Sequence, residues 1–121
     1  MKIIDANIVL RYLLRDNQLL FEKAVYIIEN NEVLLTNVII AEIVYVLEKV
    51  YKVHKNEISS VLTEFFRSIS IIISDKQLIL SALQDFDKYN LDFADAILLS
   101  YNKINNYEVI TFDKKLNKLL K

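Results

Sequence analysis

The sequence predicts an α/β protein, one domain built on a parallel sheet with helices on both faces. Three observations predict it. Short β-branched runs alternate with longer stretches of helical periodicity, the pattern of parallel strands joined by crossover helices. The chain has 121 residues, the size of one domain with one core. Hydrophobic residues make up 54% and charged residues 26%, a globular mixture too apolar for a disordered chain.

Lys2 to Ile4 is a short strand, and Asn7 to Leu14 reads as a helix ended by the polar break Arg15-Asp16-Asn17. Leu20, Phe21, Ala24, Val25 and Ile28 recur at helical spacing. Val33 to Leu35 is the second strand. Thr36 or Asn37 can cap the next helix, which runs to about Tyr51. Asn56 caps another helix, with Ile58, Val61, Leu62 and Phe65 on one face. Ile69 to Ile73 is the third strand. Asp75 caps a helix carrying Ile79, Ala82, Leu83 and Phe86, and Asp92 caps a further helix to about Ile104. Glu108 to Thr111 is the fourth strand, and Asp113 caps a terminal helix.

Composition excludes several chemistries. There is no glycine and no proline, where average usage gives roughly 8 and 6 in a chain of this length. Gly-rich phosphate loops are therefore absent. Helix ends must stop without glycine, and asparagine is the next-best residue for a left-handed cap; Asn30-Asn31, Asn90 and Asn105-Asn106 stand where helices should stop. No cysteine means no disulfide, thiol nucleophile or Cys-based zinc site. His54 is the only histidine, which excludes a His-rich metal site. The net charge of −1 argues against a generally basic nucleic-acid binder but leaves room for a local basic face. Apolar runs are too short to span a membrane, and an acid at Asp5 comes too early for a signal-peptide core. The expected location is the cytoplasm.

The acids carry the functional argument. In a parallel sheet, ligands sit outside the carboxyl ends of strands. Asp5 and Asp113 leave two such ends, although each is equally placed to cap a helix. Glu42 has Val38, Ile39, Tyr45 and Val46 as helical neighbours, and a carboxylate buried on such a face is costly unless paired or coordinated. Asp92 and Asp95 share one helical face, and Leu98 and Leu99 turn Asp95 toward the interior. Acids converging without cationic partners repel one another, and a hard divalent cation relieves that repulsion. Oxygen-only ligands suit Mg²⁺ or Mn²⁺. The matching chemistry is metal-assisted attack of water on a phosphodiester.

At these residues the sequence resembles the PIN domain and, within it, the VapC-type toxin ribonucleases of toxin–antitoxin modules. IIDANIVLRYLL resembles the first motif, on Asp5 and Asn7; VIIAEIVYVLEK the second, on Glu42; LDFADAILLS the third, on Asp95 with Asp92 as companion; VITFDKKL the fourth, on Asp113 preceded by Thr111. The missing glycines and prolines depart from the family around the third motif. The resemblance implies a PIN-like sheet of four or five strands and an Mg²⁺- or Mn²⁺-dependent endoribonuclease. It also implies a homodimer and a cognate antitoxin partner. Asp5 and Asp95 are then the direct metal ligands, with Glu42 and Asp113 completing the acidic cluster directly or through water. Asn7, Asp92 and Thr111 orient them.

RNA must also be held. Arg11, Arg15, Lys114 and Lys115 are candidate phosphate contacts, and Tyr12 and Tyr45 candidate stacking platforms. Leu78 and Leu80, beside a nearly all-apolar helix from Asn37 to Tyr51, are expected to help cover a dimer face. Haloacid-dehalogenase-type phosphatases are excluded because the second acid of their pair is Asn7 here. A receiver domain is excluded because its phospho-acceptor and opposing lysine are missing. The remaining alternative is a catalytically weak PIN-like module acting through protein or RNA contacts.

Overall fold

The structure, a computed structural model, describes residues 1–121. Its strands are β1 (Lys2–Ile3), β2 (Val33–Leu34) and β3 (Ile71–Ile72). They form one parallel sheet in the order β1-β2-β3, with Lys2 opposite Val33 and Val33 opposite Ile71. Helices α1 (Ala6–Leu14) and α2 (Gln18–Glu29) join β1 to β2. Between β2 and β3 run α3 (Asn37–Tyr45), a π-helical turn (Val46–Val50) and α4 (Lys55–Phe66). After β3 come α5 (Lys76–Lys88), α6 (Phe93–Asn105) and α7 (Lys114–Leu119).

The alternation of strand side chains fixes where the core sits. Val33 and Ile71 point to one face, and Ile4, Leu35 and Ile73 follow them with period two. All five are buried. On the opposite face Leu34 and Ile72 are half-buried and Ile3 is 66% exposed. The second face is thus only partly covered, whereas parallel sheets are usually buried on both.

The sheet has three strands, not four or five. Residues 108–111 were expected to be the fourth strand but make no backbone hydrogen bond to β1. Side chains hold the segment instead. Asn102 Nδ2 donates to the Tyr107 carbonyl at 2.9 Å, and Asn117 Nδ2 to the Thr111 carbonyl at 2.9 Å. The run Val109-Ile110-Thr111 has the composition of a strand, but strand formation depends on pairing and burial. Ile110 is 81% exposed and Phe112 wholly so.

The missing glycines are replaced as expected at two helix ends. Asn90 and Asn106 take the left-handed conformation, with φ of 52° and 59°. Arg15 and Lys52 do the same, at 54° and 57°. The single long helix expected from Asn37 to Tyr51 is α3 followed by the π turn, in which Tyr51 N–H reaches back to the Val46 carbonyl and Val53 N–H to that of Leu47. Thr36, not Asn37, caps α3. The next helix starts at Lys55 from His54, two residues ahead of the expected Asn56 cap. Leu78 is fully buried and Leu80 packs on the core, so Leu78 adds nothing to an external face.

Candidate active site

Parallel strands deliver Asp5, Thr36 and Asp75 to the same sheet edge, each as the N-cap of a following helix. Asp5 Oδ1 accepts the Ile8 N–H at 3.2 Å. That leaves its other oxygen uncommitted, because a carboxylate has about four acceptor sites. Asn7 lies beside it in the first turn of α1, exposed.

Asp113 is held from two sides. Its Oδ1 accepts the Leu116 N–H at 2.7 Å, capping α7, while its own N–H donates to Thr111 Oγ1 at 3.0 Å. Thr111 therefore fixes the backbone that presents this carboxylate.

Asp92 is the N-cap of α6, yet its side chain makes no cap hydrogen bond. One turn further on, Asp95 is half-buried. Burial raises the pKa of Asp95, and the negative charges of Asp113 and Asp92 raise it further. The structure therefore brings Asp92, Asp95 and Asp113 into one electrostatic group. None of these acids, nor Asp5 or Glu42, is in a salt bridge.

Glu42 lies in the second turn of α3. Its apolar neighbours suggested burial, but they lie on both sides of the helix: Ile39 and Val46 pack on the core, while Glu42 is exposed, as are Val38 and Tyr45. A run of apolar residues on a helix does not reveal which side faces the core when several sides are apolar. Glu42 and Asp92 line a shared cleft of about 580 Å³, together with Tyr45, Lys49 and Phe93.

The donor chemistry suits a hard divalent cation, with oxygen ligands and an uncompensated acid group. The spacing is not a closed ligand set, since no three Asp, Glu or His side chains stand close enough to hold one ion. Asp5 and Asp113 each spend one oxygen on a helix, so a full set requires carboxylate rotations that keep or replace those cap bonds.

The basic residues divide sharply. Arg11 Nη1 binds both Asp16 oxygens, at 2.7 and 2.9 Å, and Nη2 donates to the Tyr51 hydroxyl at 3.0 Å. The Tyr51 hydrogen bond, with Asp16, raises its pKa against the opposing effect of burial. Its Nη donors are committed to joining α1 to the end of the π turn, and its Nε is buried without a partner, which corrects its expected availability to phosphate. Arg15 packs over the Phe21 ring, 4.9 Å from the centroid. Lys114 is exposed at the start of α7, and Lys115 Nζ donates to the Asn90 carbonyl at 2.8 Å. Tyr12 packs on Phe21 and Phe65 and is part of the interior cluster.

One residue escaped the sequence reading. Lys55 donates to the Leu91 carbonyl, pairs with Glu48 Oε2 at 3.3 Å and lies 4.0 Å above the Phe86 ring. Lys55 and Lys115 together grip the turn immediately before Asp92. Nothing local marks this role, because its partners are contributed by α5, the π turn and the α5–α6 connection.

The family model of the PIN domain matches residues 2–120, nearly the whole chain. No curated protein and no solved structure matches it significantly. The chain belongs to the PIN-domain family, whose members are in general nucleases that use divalent metal ions.

Proposed function

We propose that the chain is a Mg²⁺- or Mn²⁺-dependent endoribonuclease, the toxin of a VapBC-type toxin–antitoxin pair. The observation that carries this reading is Asp95: half-buried, raised in pKa by burial and two acids, and without a cationic partner. Such a group is unfavourable in the isolated chain and becomes favourable beside a divalent cation. Asp5 and Asp95 would hold the ion, and Glu42 and Asp113 would complete the set directly or through water. A bound ion supplies charge neutralisation and Lewis acidity toward a phosphodiester. One of the carboxylates accepts a proton from the attacking water. Asn7 supplies a neutral donor and acceptor beside Asp5, and Thr111 holds Asp113 in place.

The exposed apolar residues Val38 and Val50 on α3 and the π turn support a homodimer and a grip for an antitoxin. No helix is long and apolar enough to cross a membrane, which agrees with a cytoplasmic toxin. The test is incubation of mixed RNA with Mg²⁺ or Mn²⁺, with and without EDTA. Endonucleolytic fragments that disappear with EDTA are expected. Intact RNA at every metal concentration would leave the binding-module reading in place.

A further inference from the structure

With Arg11 committed to Asp16 and Tyr51, the cations that meet RNA must come from elsewhere. Tyr45 is 61% exposed and lines the cleft that holds Glu42 and Asp92. A second cleft adjoins it and shares Glu48 and Lys49; it also contains Lys52 and His54. Glu42, Tyr45 and Lys49 follow one another at three- and four-residue spacing, so they form one stripe of α3 and the π turn. Each four-residue step advances about 6 Å along the axis.

We propose that Tyr45, Lys49 and Lys52 form a track for single-stranded RNA leading away from the acidic site, with a base stacked on Tyr45 and phosphates at Lys49 and Lys52. Tyr45 presents an aromatic surface to solvent beside two acids, which no packing role explains. Base stacking on such a surface is tolerant of sequence. Lys49 is over half exposed and only loosely paired, 3.7 Å from Glu48. The Lys52 side chain makes no hydrogen bond or ion pair, and the residue holds a left-handed backbone that costs a non-glycine residue about 1 kcal/mol. The end of a helix also favours cations through its dipole; that accounts for Lys49 but not for Tyr45. Glu48 is offset by Lys49 and Lys55, so Asp87 is the one unpaired carboxylate in the second cleft.

RNA as the ligand rests on the nuclease reading, but the inference is tested by binding alone. Fluorescence anisotropy with a labelled single-stranded RNA in EDTA is measured on the full chain and on Tyr45→Ala, Lys49→Ala and Lys52→Ala. These residues are exposed, and circular dichroism checks that each variant is folded. Each lysine substitution should lower the slope of log affinity against log salt by about 0.7, one phosphate contact on a single strand. Tyr45→Ala should weaken binding about tenfold with the slope unchanged. Unchanged affinity and slope in all three variants would overturn the track even if the protein cleaves RNA. Equal competition by an acidic peptide would overturn it too, by assigning the surface to a protein. Binding that follows the three residues without metal-dependent cleavage would support the track and remove the nuclease reading.

Discussion

Helices α5 and α6 both start from an aspartate, and only one of the two is used as a cap. Asp75 Oδ1 accepts the Leu78 N–H at 3.1 Å, whereas Asp92 caps nothing with its side chain. The contrast continues inside the helices. On α5, Asp85 is 2% exposed and bound by Lys103 of α6 at 2.8 and 3.1 Å. On α6, Asp95 is half-buried and has only other acids for charged neighbours. The same residue type is thus satisfied on one helix and left unsatisfied on the other. Buried carboxylates are normally paired or hydrogen-bonded, so the unsatisfied one is where the proposed cation would find an uncompensated acid.

Neutralising the unsatisfied acid is the strongest way to break this comparison. Asp95→Asn should reduce RNA cleavage by more than about 100-fold, since even groups that only support a metal ligand cost about 10–100-fold. The same change should hold or slightly raise the stability of the apo protein at pH 7, since water screens much of the repulsion at a partly exposed group. The pH dependence follows from the raised pKa. The penalty for ionised Asp95 is fully present above its folded pKa and fades as pH falls through it. It is gone below the ordinary aspartate value of about 3.9, where both states are protonated. Melting curves of the two proteins should therefore converge in acid; a constant gap from pH 7 to pH 3 would contradict this.

Disturbing the satisfied acid should act in the opposite direction. Lys103→Met leaves Asp85 buried without a partner and should cost about 2–3 kcal/mol in urea denaturation. The figure lies at the low end because Lys103 is 39% exposed. The smallest effects belong to the two caps. Asp75→Ala should cost about 1 kcal/mol through the lost cap bond. Asp92→Ala should stay within about 0.5 kcal/mol of the parent protein, and equal losses at the two positions would erase the distinction between them.

Much of this was legible in the sequence, for reasons that differ by residue. β1, β2 and β3 stand within the runs at 2–4, 33–35 and 69–73, because β-branched residues bounded by caps announce strands locally. The half-burial of Asp95 was legible from Leu99, which is buried, but not from Leu98, which is exposed. Glu42 was misread as buried because α3 is apolar on more than one side, and only packing decides which side is covered. The run at 108–111 was misread because strand composition does not supply a partner strand. The commitment of Arg11 to Asp16 and Tyr51, and the grip of Lys55 on the Leu91 carbonyl, depend on residues distant in sequence. No local pattern encodes them.

Melting temperature against Mn²⁺ concentration at pH 7 tests most directly whether the acids around Asp95 hold the proposed cation. A ligand that binds only the folded state stabilises it by about 2.7 kcal/mol at one hundred times its dissociation constant. With ionic strength held constant, the melting temperature should climb steadily with Mn²⁺ for the parent chain and stay flat for Asp95→Asn. The same rise in both proteins, or no rise in either, would contradict it.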